Sequence, residues 1–320
     1  MPDSGSLTRT RTLRAGVVGA GVFGGYHAQK YAGLPGVRLA AICDASQLAA
    51  EATAARFGAQ SLTSLSEFAR SVDVATIATP ASTHYAVARQ LIDAGVHVLV
   101  EKPLALSLAD ADDLISRARL RGATLQVGHQ ERFVLAATGL LGRRKTPRAI
   151  HSRRAGPWTG RCTDVGVVID LMIHDLDLVH QLVAAPLVAV QAEGRRVHGE
   201  DADEVSAELT FGGGTQVYLY ASRISDVRER TMRLDYDDGS VEIDFGRRTL
   251  LNTTPAHLTP PGDGDAVQRA IAADPLGYAV GEFVKAVREG REPFVNGHGA
   301  RRALASALRI LEAAEDRVAA

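Results

Sequence analysis

Apolar and polar positions follow two different rhythms along the chain, and the change comes after Gly128. Before it, short apolar runs at 13–18, 37–43, 72–78, 97–100 and 124–127 read as strands. Segments of helical spacing lie between them, at 25–31, 45–57, 84–94 and 107–121. Leu34-Pro35-Gly36, Gly58, Gly95 and Gly122 stop those helices, and Ser64-Leu65-Ser66-Glu67 has the form of a capping box opening a short one. Strands alternating with helices through short connections predict an α/β fold with a mostly parallel, doubly wound sheet.

After Gly128 the pattern is different. Residues 139–165 are rich in Gly, Arg and Thr and read as a loop, and a helix is expected over 167–183. Five β-like segments follow, at 187–197, 204–211, 215–223, 230–236 and 240–245. Gly212-Gly213-Gly214 and Asp237-Asp238-Gly239 mark hairpins, and Val205, Ala207, Leu209 and Phe211 alternate with polar residues. These features predict an α+β domain with an antiparallel sheet. Residues 252–265 read as a loop, and amphipathic helices are expected at 277–289 and 300–318.

One stretch joins this pattern to chemistry. Gly19-Ala20-Gly21-Val22-Phe23-Gly24 lies between the first strand and the first helix. In that setting Gly19 would make the tight turn, Gly21 would let a pyrophosphate reach the backbone, and Gly24 would let helix and strand pack closely. Amides at the helix start would then face the phosphates. Asp44 follows the second strand, where a carboxylate can take both hydroxyls of an adenosine ribose and repel a 2′-phosphate. A glycine-rich turn alone also occurs in other α/β folds; here the strand, the helix and Asp44 together point to NAD, in preference to NADP.

Composition narrows the field. The chain has 320 residues, which allows one large domain or two ordinary ones, and 46% of them are hydrophobic, enough for a real core. A net charge of −1 gives no footprint for nucleic acid or an anionic membrane surface. The two cysteines, Cys43 and Cys162, have no metal or redox spacing, and a reduced, cytoplasmic setting is expected. No apolar run approaches the roughly 20 residues needed to span a bilayer. Residues 1–12 are polar and read as a flexible tail.

Five features occur in order: Gly19-x-Gly21-x-x-Gly24-x-x-His27, Asp44, Thr79-Pro80 with His84, Glu101-Lys102-Pro103 closing an apolar run, and Asp170-x-x-x-His174-x-x-Asp177. With them the chain resembles the glucose-fructose oxidoreductase, inositol dehydrogenase and rhizopine-catabolism (Gfo/Idh/MocA) family over nearly its whole length. The resemblance implies a Rossmann domain at 13–128 and an α+β domain at 129–275 whose open sheet face makes homo-oligomers, dimers or tetramers. It also implies C-terminal helices, 276–320, that pack back on the first domain. Val22, Phe23, Thr79, Pro80, His84, Glu101, Lys102 and Gln130 would then join the glycines and Asp44 around the cofactor. Arg132 would lie beside the nicotinamide and substrate. The stretch 127–133 together with 170–175 is similar to the branch that oxidises the 3-hydroxyl of UDP-N-acetylglucosamine.

The residues themselves suggest roles. Lys102 follows a strand at a carboxyl end of the parallel sheet, where ligands of such sheets bind, and could hold a cation beside a reacting oxygen. Asp170, His174 and Asp177 are spaced i, i+4, i+7 on a helix apolar on most sides, so this wedge is expected to face a cleft. His174 has the intrinsic pKa of a general base, and Asp170 and Asp177 could orient it or bind substrate hydroxyls. The plainer reading is a wedge that pairs with arginines between domains. Asp175 points away and reads as structural or as a contact at the wedge rim. No His-Glu-x-x-His motif or Cys cluster supplies a metal site.

The basic residues Arg143, Arg144, Lys145, Arg148, Arg153, Arg154 and Arg161 form a solvated face or a clamp for a nucleotide-sugar diphosphate, with Arg153 and Arg161 the first candidates, and Trp158 in the same loop could stack on a sugar or base. The function expected is NAD-dependent hydride transfer from a sugar or nucleotide-sugar hydroxyl. The competing readings are an inositol or free-sugar dehydrogenase, a glycosidase or hydro-lyase with transient oxidation, and an NAD-sensing binding protein.

Overall fold

A computed structural model of the chain describes residues 11–143, 145–160 and 164–318. The first sheet contains β1 (Leu13–Val18), β2 (Val37–Cys43), β3 (Gln60–Leu62), β4 (Val74–Ile77), β5 (His97–Val100) and β6 (Leu125–Val127). All pair in parallel in the order β3-β2-β1-β4-β5-β6, the doubly wound arrangement whose ligands bind at the carboxyl ends near the β1/β4 switch point. The central strands are mostly apolar because helices cover both faces. Those helices are α1 (Val22–Gly33), α2 (Gln47–Ala55), α3 (Leu65–Ser71), α4 (His84–Asp93) and α5 (Leu108–Arg121). Ser46, Ser64 and Ser107 cap α2, α3 and α5 through their hydroxyls. Gly122, at φ 64°, ends α5 in the left-handed conformation.

The second sheet has seven strands. They are β7 (Ala149–Ala155), β8 (Leu187–Arg195), β9 (Glu204–Phe211), β10 (Gln216–Ser222), β11 (Glu229–Tyr236), β12 (Gly239–Asp244) and β13 (Thr249–Asn252), in the order β13-β12-β11-β7-β10-β9-β8. Every neighbouring pair is antiparallel except β7 and β10. One face of the sheet is buried under α7 (Ile173–Leu182), the π turn before it (Val168–Met172) and α10 (Gly297–Val318).

The sequence reading placed β7, the middle strand of this sheet, in a loop. Its two arginines hid an alternation in which Ile150, Ser152 and Arg154 point inward. Arg154 can do so because carboxylates meet it there. The helices α6 (Glu131–Ala137) and α8 (Ala266–Ala273) and the strand β13 were also missed. The helix α9 (Pro275–Glu289) returns to the first domain, packing on α1 and β5. The longer α10 does more than that: it touches α5 and β6 but lies along β8 and α7, so it joins the two domains.

Candidate active site

The loops at the carboxyl ends of the first sheet open into a cleft of about 660 Å³, walled on the other side by α7, its π turn and the ends of β7 and β11. The glycine turn forms one end. Gly19 has φ 98°, a conformation that favours glycine, and a Cβ on Gly24 would sit 1.7 Å from the Gly19 carbonyl oxygen. A Cβ on Gly21 would meet no protein atom within 4 Å, so this glycine leaves room for something other than protein. The Ala20 amide donates to Asp44 Oδ2 at 2.7 Å and the Ser46 amide to Oδ1 at 2.8 Å, which fixes the carboxylate beside the turn. An open backbone approach, a helix start behind it and a fixed carboxylate at the end of β2 fit an adenosine diphosphate.

Gly21, Val22, Phe23, Thr79, Pro80, His84, Glu101, Lys102 and Gln130 all line this cleft. Glu101 is buried and bonded to His27 Nε2 at 2.8 Å, and its carboxyl is held below the usual range. Burial would raise that pKa; the bond and charge of His27, with Lys102 and His84 nearby, outweigh it. His84 is also buried, with Nδ1 2.7 Å from the Pro103 oxygen and Nε2 2.9 Å from the Thr79 oxygen. It therefore ties the loop after β4 to the loop after β5.

Lys102 Nζ crosses to the second domain, donating to the Asp170 backbone oxygen at 2.6 Å and to Asp170 Oδ1 at 2.9 Å. Asp170 lies in the π turn, a feature that recurs at functional sites because it breaks the regular backbone ladder. His174, one turn on, lines the same cleft. Its Nδ1 is 4.0 Å from Glu131 Oε2, too far for a hydrogen bond. Burial, with Lys102, Arg154, His129 and Arg230 adding positive charge, pushes the imidazole well below its ordinary pKa. His174 is therefore neutral, a proton acceptor and not half of an ion pair. His129 meets its ring edge to face at a centroid distance of 6.1 Å.

The expected wedge is split. Lys102, Asp170 and His174 come together, but Asp177 is fully buried and faces away from the cleft, bound to Arg132. Arg132 Nε donates to Asp177 Oδ2 at 2.9 Å and Nη1 to the Phe294 oxygen at 3.0 Å, so neither residue reaches substrate. Asp177 lies about 60° round the helix from His174, and that turn is enough to carry it into the core. Arg153 is corrected too. It points to the opposite face of the second sheet, over the Tyr220 ring at 4.4 Å and 3.0 Å from Glu229. Strand alternation decides this: Arg153 and Arg154 must take opposite faces. Arg144 and Arg161 lie outside the described residues. Trp158 lines the cleft, but His198 already stacks on its ring at 4.3 Å and the Arg223 guanidinium lies 4.9 Å from its centroid.

Sequence reasoning missed Glu131, Arg223, Arg228 and Arg230 as cleft-lining residues, and had Arg154 only as one of the arginines of the basic stretch. Arg154 donates to Asp175 Oδ1 and Oδ2 at 2.8 and 2.9 Å and to Glu131 Oε1 and Oε2 at 2.9 and 2.6 Å. Asp175 is thus structural. The available signal was Asp175 itself, a carboxylate on a buried helix that needs a cation. Among the described residues no group of three or more His, Cys, Asp and Glu side chains converges as a metal site. No described helix is long and apolar enough to cross a membrane.

Comparison with known proteins bears on this geometry. An oxidoreductase family with an NAD-binding Rossmann fold matches residues 13–129, and the GFO/IDH/MocA C-terminal domain matches residues 134–242. A UDP-N-acetylglucosamine 3-dehydrogenase of Acidithiobacillus ferrooxidans is 36% identical, covering 95% of this chain and 97% of that protein. A crystal structure of that enzyme superposes with a TM-score of 0.86 at 34% identity, covering 95% of this chain and 98% of the other. An inositol 2-dehydrogenase of Rhizobium meliloti is 27% identical, covering 92% and 95% of the two chains.

Proposed function

The chain belongs to the GFO/IDH/MocA family of NAD-binding oxidoreductases, and on that premise we propose that it oxidises a secondary hydroxyl of a nucleotide sugar. The 3-hydroxyl of UDP-N-acetylglucosamine is the first candidate. The observation that carries the reading is the meeting of Lys102, Asp170 and His174 in the cleft that begins at the glycine turn. The relative at 36% identity supports the substrate class.

Gly19, Gly21, Gly24 and Asp44 would hold NAD, which supplies the hydride acceptor. The two oxygens of Asp44 beside the turn favour a bare ribose over a 2′-phosphate. His174, neutral at physiological pH, takes the hydroxyl proton as the carbinol becomes a ketone. The Lys102 ammonium stabilises the negative charge that develops on that oxygen. Asp170 positions Lys102, holding it by carboxylate and backbone oxygen together.

The protein is further proposed to act in the cytoplasm, where Cys43 stays a buried free thiol, and as a homo-oligomer built on the open face of its second sheet. The functional test is NADH formation on mixing enzyme and NAD with UDP-N-acetylglucosamine, free N-acetylglucosamine or myo-inositol. UDP-N-acetylglucosamine is expected to give the highest kcat/KM. Faster turnover of inositol would overturn the substrate assignment and favour the reading suggested by the inositol relative. Substrate consumption without net NADH would instead show transient oxidation.

A further inference from the structure

Most charged side chains along the cleft wall have a partner, and Arg154 has two carboxylates. Lys102 meets Asp170, Arg154 meets Glu131 and Asp175, Arg223 meets Asp203, and Glu101 meets His27. Asp164 accepts from the Ser82 amide at 3.4 Å. Arg228 and Arg230 line the same cleft, and neither has a carboxylate at ion-pair distance among the described residues.

The position of Arg230 makes this unusual. In the antiparallel β7–β11 ladder it stands directly opposite Arg154. Like charges directly opposed across a ladder repel. Partial burial, and next the Arg154 charge, push the Arg230 guanidinium below its ordinary pKa. The one carboxylate beside it in sequence, Glu229, is turned by strand alternation to the other face, where Arg153 takes it at 3.0 Å. Both Arg228 and Arg230 remain open to solvent. Glu131 and Asp175, both held by Arg154, attract the Arg230 guanidinium without forming an ion pair with it, so it stays on the cleft wall with no carboxylate of its own. Two exposed guanidiniums without carboxylate partners on one cleft wall suit an anion that enters the cleft.

We propose that Arg228 and Arg230 form the subsite that holds the diphosphate of the nucleotide-sugar substrate. The inference rests on the nucleotide-sugar reading above and supplies the clamp that Arg153 does not. Guanidinium groups bind phosphate oxygens through paired N–H donors, and two of them match the two charges of a diphosphate. A lone carboxylate would leave one guanidinium unpaired. The wall formed by Lys102–Asp170 and by Arg154 with Glu131 and Asp175 then faces the uncharged sugar.

The test uses enzyme saturated with NAD, so that the dinucleotide site is filled. UDP and uridine are titrated by calorimetry into the wild type, Arg228→Met and Arg230→Met, at low and high salt. UDP is expected to bind the wild type, more weakly at high salt. Each variant should weaken UDP about ten- to a hundredfold, as loss of a charge-assisted contact does, with uridine and NAD affinities unchanged. For UDP-N-acetylglucosamine oxidation, KM should rise by a similar factor and change more than kcat. Both variants should melt close to the wild type, because both side chains are exposed and have no ion pair to lose. Unchanged UDP affinity in both variants, or no UDP binding by the wild type, overturns the clamp. If UDP-N-acetylglucosamine is oxidised with wild-type KM by both variants, the substrate reading stands and the clamp falls. If both variants lose UDP but the wild type does not oxidise UDP-N-acetylglucosamine, the clamp stands and that substrate falls.

Discussion

His174 is the residue on which the proposed chemistry turns, and its environment fixes a direction that can be measured. A histidine whose pKa is lowered in the folded protein stays neutral to a lower pH than free imidazole, whose pKa is about 6.5. Oxidation needs the neutral form. Its kcat should therefore hold level as pH falls past 6.5 and drop only lower, as the ring finally takes a proton. The reverse reaction needs the protonated form and should gain as pH falls. His174→Ala should cost about 10²–10⁴ in kcat, the usual worth of a positioned base, with NAD affinity unchanged because the glycine turn lies elsewhere. Lys102→Met should slow both directions, since the same cation serves alkoxide and carbonyl. A His174→Ala enzyme of near wild-type rate would exclude it as the base and leave Lys102 in that role.

Among the elements, α7 brings the site together, and two buried ion pairs hold it. Arg154 grips Asp175 from β7, and Arg132 grips Asp177 from α6 while also capping the Phe294 carbonyl. The periodicity of 167–183 made this helix legible as buried, and Asp170 with His174 as its functional edge. It could not assign Asp177. An acid at i+7 shares a helix face on a wheel, but whether it meets water or an arginine depends on α6, some 45 residues earlier in the chain. Arg132→Met should destabilise by about 3–5 kcal/mol, because it leaves Asp177 charged and buried. Urea unfolding reads this. Arg132→Met combined with Asp177→Leu should recover much of the loss, since both charges then go. A single variant as stable as the wild type would show that the pair does not hold the helix.

At the scale of the molecule, the second sheet has one face under helices and one face open. His151 stacks on Tyr218 at 4.8 Å on the open face, and Arg153 lies over Tyr220. Gln191, Glu193, Ser206 and Glu208 share that face. Met232 is fully buried on the helix side, since register with Ser152 of β7 sets its direction. The remaining face, flat and part aromatic, suits a second copy of the chain. Sedimentation at micromolar concentration should show an oligomer, and Tyr218→Glu should shift it towards monomer. A wild-type monomer under those conditions would exclude the proposed assembly.

Local sequence determined what local physics can enforce. Apolar runs spaced by helices specified the parallel sheet, glycines at three positions specified the turn before α1, and a capping serine specified each of α2, α3 and α5. Gly19, Asp44, Thr79, Lys102 and Gln130 could all be placed at one edge, because every one follows a strand of the same parallel sheet. Tertiary structure alone decided which charges meet. Arg154 is buried and Arg153 is not because a strand alternates, and the strand was invisible until Asp175 and Glu131 arrived to neutralise it. The opposition of Arg230 to Arg154 likewise exists only through the register of β11 on β7, two strands separated by some 75 residues of chain. Pairing partners so far apart are chosen by packing of the whole core, and no window of sequence contains that information.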